Sequence, residues 1–244
     1  MKRDFKTKTP MNKPTKFKLN PQNGIIVKLI SLIESALTTF IKCPDYQTQY
    51  FNNPRAGEDT LTSALRSHLD LESRNIDTIF LFGSQEEQKE SDSKKGKKRT
   101  VDIAIKSADS KGHYIFCLEA KWIDADDYIT GDTGAIKRFK KCEHGLSSSN
   151  SSNFKPLDES GIVAYVKSGN FEDHFKKINK KIEDLSNQFS TQTDNFGLNW
   201  HSSEKLTQKY PNQSDKYISE HKRIDKTDLK LHHFWVNVAT AEKQ

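Results

Sequence analysis

The chain has only three cysteines, Cys43, Cys117 and Cys142, an odd number with no CxxC spacing. That argues against a disulfide framework and against a cysteine zinc site, and a reducing cytoplasm is the expected location. No run approaches the roughly 20 apolar residues that span a bilayer, so no membrane partner is expected. The opening MKRDFKTKTPMNKPTKFKLN lacks the apolar stretch of a secretory signal. No GxxxxGKS or GxxxxGKT pattern occurs, so any nucleotide-driven step needs another chain. There is no internal repeat.

Charge of one sign is also missing from most of the chain. The formal net charge is +6 over 244 residues, but residues 1–20 carry seven Lys/Arg against Asp4 alone. That tail accounts for the whole excess, and residues 21–244 sum to zero. Phosphate affinity must therefore come from the tail or from local clusters. Residues 1–22, with three prolines and many lysines, read as a flexible basic arm, and 23–244 as a single domain.

What is present is enough apolar sequence for one α/β core, 33% of residues against 30% charged. Ile25, Ile26, Leu29, Ile33, Leu37 and Phe40 predict an amphipathic helix over 24–42. Leu61, Leu65 and Leu69 predict another over 57–71, with Glu58 on the same inward stripe. An acid in a first helical turn suits the helix dipole without further role; its place on the apolar stripe makes it a site candidate. DTIFLF (77–82) reads as a buried strand and 83–99 as a polar loop. VDIAIK (101–106) and HYIFCLEAK (113–121), joined by SADSKG, read as a β-hairpin covered on both faces. A loop over 122–134, a short helix over 135–141, a low-complexity run at 147–153 and a strand at 161–166 follow. Phe171, Phe175, Ile178, Ile182, Leu185 and Phe189 predict a helix over 170–189 whose other face carries Lys176, Lys177, Lys180 and Lys181. A polar stretch over 190–215 precedes strands near 216–223 and 229–238. This order predicts an α/β domain with a mixed central β-sheet flanked by helices.

The hairpin carries the chemistry. Asp102 starts one strand while Glu119 and Lys121 end its partner, so an antiparallel pairing brings all three to one end of the sheet. Glu119 and Lys121, two apart, share a face. Two carboxylates and an ammonium among apolar strand residues are costly unless they bind something or each other. Paired carboxylate oxygens suit Mg²⁺ or Mn²⁺, and the lysine can stabilise charge on a phosphate. Glu58 would add a third carboxylate. A plain cross-strand salt bridge is the competing explanation. Glu-x-Lys also occurs at Glu87/Lys89 and Glu220/Lys222, but only Glu119/Lys121 ends an apolar strand preceded by an aspartate-bearing strand.

In this arrangement the chain resembles the PD-(D/E)xK, restriction endonuclease-like, nuclease superfamily. FCLEAKWID, YITGDTGAIKRF, CEHGL and ESGIVAYV resemble bacterial members with the same order of elements, and the likeness covers roughly 57–185. Val101 stands where the motif's name has proline. The resemblance implies a restriction endonuclease-like core and metal-dependent DNA hydrolysis in restriction or anti-phage defence. It implies Asp102, Glu119 and the Ala120 carbonyl as metal ligands, joined by Glu58, and Lys121 as the catalytic lysine. Lys137 and Arg138, on the short helix after the motif strand, would face the scissile phosphate. Lys176, Lys177 and Lys180 are weaker nucleic-acid candidates, since such a face is commonly just solvated.

His144, His174, His232 and His233 read as structural or surface residues; adjacent residues 232 and 233 face opposite ways on a strand and cannot easily share a metal. Trp122, Trp200 and Trp235 read as packing rather than base-stacking residues. Beside a free-standing DNA endonuclease stand two alternatives: a nuclease subunit gated by an ATPase or sensor partner, and a non-catalytic nuclease-like interaction module. A homodimer would let two sites reach both strands of a duplex.

Overall fold

A strand buried on both faces needs an unbroken apolar run, and Gly-Ile-Val-Ala-Tyr-Val supplies one at the centre of β4 (Glu159–Val166). The structure, a computed structural model, describes residues 21–53, 55–76, 80–88, 99–131, 133–147, 155–211 and 213–239. Residues 1–20 of the expected basic arm lie outside this set, as does most of the low-complexity run at 147–153.

The helices are α1 (Pro21–Lys42), α2 (Pro44–Tyr46, followed by a π turn), α3 (Glu58–Ser73), α4 (Ala125–Ile129), α5 (Ala135–Lys140) and α6 (Phe171–Phe189). Six further strands join β4: β1 (Phe80–Gln88), β2 (Arg99–Ser107), β3 (Tyr114–Trp122), β5 (Thr207–Gln208), β6 (Lys216–Lys222) and β7 (Asp228–Asn237). All seven form one mixed sheet in the order β1-β2-β3-β4-β7-β6-β5. The central trio β3, β4 and β7 runs parallel, and antiparallel strands flank it on both sides. The expected α/β fold with a mixed, helix-flanked sheet is what the chain adopts.

Each sheet face is covered by helices. Leu29, Ile33 and Phe40 of α1 and Leu61, Leu65 and Leu69 of α3 pack on Ile103, Phe116, Leu118, Val163 and Tyr165. Opposite, Tyr128, Ile136, Phe139, Ile178 and Ile182 from α4, α5 and α6 pack on Cys117, Ile162, Ala164, Leu231 and Trp235. Stretch 24–42 corrects one expectation, because it is long and apolar enough by composition to cross a membrane. Its apolar stripe is buried on the sheet, as a core helix requires.

Three element boundaries differ from expectation. β1 continues through Gly83 to Gln88, read above as loop. Among the described residues it is an edge strand bonded only to β2, and its second half, 83–88, needs no continuous apolar run. α4 forms inside the expected 122–134 loop, capped by the Asp124 carboxylate, which accepts the Asp126 N–H at 3.0 Å. A 3₁₀ turn (Ser202–Glu204) and β5 interrupt the polar 190–215 stretch.

Gly161 shows how tightly β4 is packed. A Cβ there would meet Leu118 Cδ2 at 2.6 Å, Phe116 Cε1 at 3.0 Å and Phe234 Cε2 at 3.1 Å. Gly161→Ala is expected to lower stability by about 1–3 kcal/mol through overpacking. A urea midpoint equal to or above the wild-type value would show that the layer adapts freely.

Candidate active site

Antiparallel pairing of β2 with β3 reaches Ile103↔Leu118 and goes no further toward the site. The next residue, Asp102, instead turns its carboxylate to the exposed backbone of β3, where Oδ2 accepts the Ala120 N–H at 2.8 Å. The N–H and C=O of one strand residue point to the same side, so the Ala120 carbonyl also faces the Asp102 side. Beyond this point β3 is held by its parallel partner β4, from Leu118↔Gly161 to Trp122↔Tyr165. The ends of two strands thus separate around an acidic group.

Period two puts Glu119 and Lys121 on the α5 side of β3, and their side chains lie 3.4 Å apart. Glu58 enters from the opposite layer. It is the first residue of α3, and that helix's N-terminus lies over the end of β3. Glu58 Oε1 accepts from Lys121 Nζ at 3.0 Å and Oε2 from the Trp122 N–H at 2.7 Å. Glu58 is therefore partnered across the sheet end rather than turned to solvent. Its own carbonyl accepts the Thr62 hydroxyl, which also reaches the buried Tyr165 hydroxyl at 3.3 Å.

Glu119 is the electrostatic centre. Its side chain is 1% exposed, with Arg138 Nη1 at 2.8 Å from Oε1 and His144 Nδ1 at 3.0 Å from Oε2. Burial alone would raise its pKa, but His144, Lys121 and Arg138 together outweigh that and hold it at about 2. Asp102 goes the other way. Burial first and the Glu119 charge second push it up to about 7, only partly offset by the Ala120 N–H and Lys121. Burial also disfavours the Lys121 ammonium, yet Glu119, Glu58 and Asp102 raise its pKa above the ordinary lysine value. Two neighbouring carboxylates are thus driven in opposite directions, which makes this cluster the candidate site.

That difference sets a stability test. The Asp102 carboxyl titrates near 3.8 when unfolded and near 7 when folded. Between those values the folded chain holds a proton that the unfolded chain releases, so stability falls as pH rises from about 4 to about 7. Fully realised, the difference is worth about 4 kcal/mol, and solvent at the part-exposed carboxyl reduces it to roughly 2. Asp102→Asn, which keeps an acceptor for Ala120, is expected to be the more stable protein above pH 7, with the gap closing toward pH 4. Urea unfolding at several pH values in chelator-treated buffer checks this; a pH-independent gap would contradict it.

The structure brings together Asp102, Glu119, Lys121, Glu58 and Arg138. Lys137 corrects the expected phosphate contact: it is 4% exposed and its ammonium lies 3.9 Å from the centre of the Phe196 ring. On the two-turn-scale helix α5, neighbours 137 and 138 point in different directions, and only Arg138 reaches the site. Lys176, Lys177 and Lys180 lie exposed on α6, and Lys176 and Lys180 pair within the helix to Glu172 and Asp184. His144, which carries no site role in the sequence pattern, joins the cluster through Glu119. Expected to be structural or on the surface, it is buried, with Nδ1 3.0 Å from Glu119 Oε2. Its sequence signal is only a helix end before Gly145, whose φ of 77° breaks the chain direction. His232 and His233 do face opposite ways: His232 bonds Glu159 at 2.7 Å and His233 bonds Tyr128 and Ser219. Trp200 and Trp235 are core residues, as expected.

Among the described residues no three His, Cys, Asp or Glu side chains form a ready metal cage. Mg²⁺ does not require one, since it commonly uses one or two carboxylates and completes its shell with water and substrate phosphate. Asp102, charged only against the field of Glu119, with the Ala120 carbonyl on the same side, is a donor set that suits such an ion. In comparisons with known proteins, no family model, curated protein or solved structure matches this chain.

Proposed function

We propose that the chain is a metal-dependent nuclease with a restriction endonuclease-like core, hydrolysing DNA phosphodiester bonds. One observation carries the reading: Asp102, Glu119 and Lys121 from two strands, with Glu58 from a helix of the other layer, meet where β2 and β3 separate. Asp102 and Glu119 would hold Mg²⁺ or Mn²⁺, with the Ala120 carbonyl as a further donor and Glu58 as the outermost carboxylate. When bound, the ion supplies neutralisation of charge on the phosphate.

The chain's own residues do the rest. Lys121 carries a full positive charge to the edge of the site, where it stabilises charge developing on the phosphate. Glu58 holds that ammonium in place through the 3.0 Å contact. Arg138 engages Glu119 through Nη1 and keeps further N–H donors that could reach a phosphate oxygen. His144 Nδ1 lies 3.0 Å from the inner Glu119 oxygen. Glu119, already shared by Lys121, Arg138 and His144, would hold a cation only in place of some of these contacts.

The test is incubation of purified protein with plasmid, linear duplex and single-stranded DNA in Mg²⁺ or Mn²⁺, against a chelator control. Chelator-sensitive cutting supports the reading. No cutting of any substrate would sink the free-standing enzyme. A second reading, a nuclease subunit gated by a partner, is favoured by the zero net charge of residues 21–244, which gives the body little grip on DNA. It predicts cutting only once the partner is added. A role in restriction or anti-phage defence fits either form.

A further inference from the structure

A cavity of about 300 Å³ opens between the 197–201 loop and the turn that joins β6 to β7. That volume lies at the lower end of small-molecule sites, roughly 300–1,000 Å³. Its ionisable lining residues are all basic: His201, Lys222, Arg223 and Lys226. Both walls are pre-formed. Asp194 accepts the N–H groups of Phe196 and Leu198 at 2.8 and 2.9 Å and the Trp200 indole N–H at 2.9 Å. Across the cavity, Arg223 and Thr227 close the turn backbone at 3.0 Å, and Asp225 accepts both the N–H and the hydroxyl of Thr227.

Arg223 is the telling residue. It is 2% exposed, yet among the described residues it has no ion-pair partner. Its terminal nitrogens donate to the Leu157 and Asp228 carbonyls and the Thr227 hydroxyl, all uncharged, and its Nε has no partner. Burial lowers its pKa from the usual arginine value and outweighs the charges of Asp225, Asp158 and Asp228, none of which comes within ion-pair distance. The candidate-site carboxylates do not touch it. Lys222 pairs with Asp228, but both side chains are more than half exposed, so that pair neutralises little.

We propose that this cavity binds the phosphate group of a small anionic ligand, with Arg223 at its buried wall and Lys222, Lys226 and His201 nearer solvent. A guanidinium and two ammonium groups around one concavity are the donor set that phosphate oxygens take. This site is separate from the nuclease reading and stands whether or not the chain cuts DNA.

The test is isothermal titration calorimetry of the full chain at constant ionic strength, with inorganic phosphate, adenosine monophosphate and a 5′-phosphorylated tetranucleotide. Wild type is compared with Lys222→Ala/Lys226→Ala, whose altered side chains are exposed, and with Asp102→Ala as a control for the carboxylate site. Saturable wild-type binding of at least one probe, weakened about tenfold or more in the double variant and retained in Asp102→Ala, is the expected result. Tighter binding of the mononucleotide assigns a free nucleotide; tighter binding of the tetranucleotide assigns a nucleic-acid end. If the double variant melts early, Lys226→Glu on the exposed turn is measured in its place. No saturable binding of any probe, or undiminished binding by the folded variant, overturns the proposal.

Discussion

Lys121→Ala is expected to reduce metal-dependent DNA cleavage by about 10²–10³-fold while leaving the protein folded, the usual effect of removing one pre-organised group from a developing charge. The fold should survive because neither carboxylate is abandoned. Glu119 keeps Arg138 and His144, and Glu58 keeps the Trp122 N–H and part of its exposure. The stability loss should therefore be about 1 kcal/mol, well below that for an orphaned buried charge. Cleavage rates and urea midpoints measured on the same preparation separate the two roles. If Lys121→Ala cuts at the wild-type rate but melts much earlier, Lys121 is a counter-ion of the sheet end and the nuclease assignment loses its central residue.

Lys140→Ala should do the reverse, costing about 3–5 kcal/mol of stability out of a typical total of about 5–15. Lys140 is fully buried. Its ammonium donates to both Glu204 oxygens, at 2.7 and 2.5 Å, and to the Asn199 carbonyl at 2.8 Å, and it lies 4.2 Å from the centre of the Trp200 ring. Burial works against the Glu204 carboxylate, but His221 and Lys140 hold its pKa below the usual range. Its contribution is thus present above the unfolded carboxylate range and lost as pH falls below it. Without the ammonium, Glu204 would keep only the weak Lys222 N–H at 3.4 Å and His221 Nδ1 at 3.3 Å. Replacing both partners, as Lys140→Met with Glu204→Leu, should recover most of the loss, because an apolar pair of similar volume leaves no charge behind. A small loss in the single variant, or a double variant worse than the single, would show that solvent reaches this pair.

These expectations divide along what the chain's local pattern could and could not carry. Strand periodicity is local, so the pairing of Glu119 with Lys121 and their nearness to Asp102 followed from two strands and a short connection. The stripes of α1, α3 and α6 were legible for the same reason, as was the buried β4. The polar residues of β1 hid only its continuation over 83–88, because an edge strand needs only one bonded neighbour. α4 went unread because five residues give too little periodicity to tell a helix from a loop.

By itself the sequence determined the α/β class, the hairpin and the acidic-basic constellation at its end, since these depend on residues close along the chain. Tertiary structure decided the partners. It carried Glu58 across from the far layer to Lys121, turned His144 inward onto Glu119, and buried Lys137 while leaving Arg138 at the site. It also placed Lys140 against Glu204 and left Arg223 buried with no ion-pair contact among the described residues. Each of these is a charge whose role depends on which distant element comes to lie beside it, and burial and neighbouring charge, unlike periodicity, are set only when the layers close.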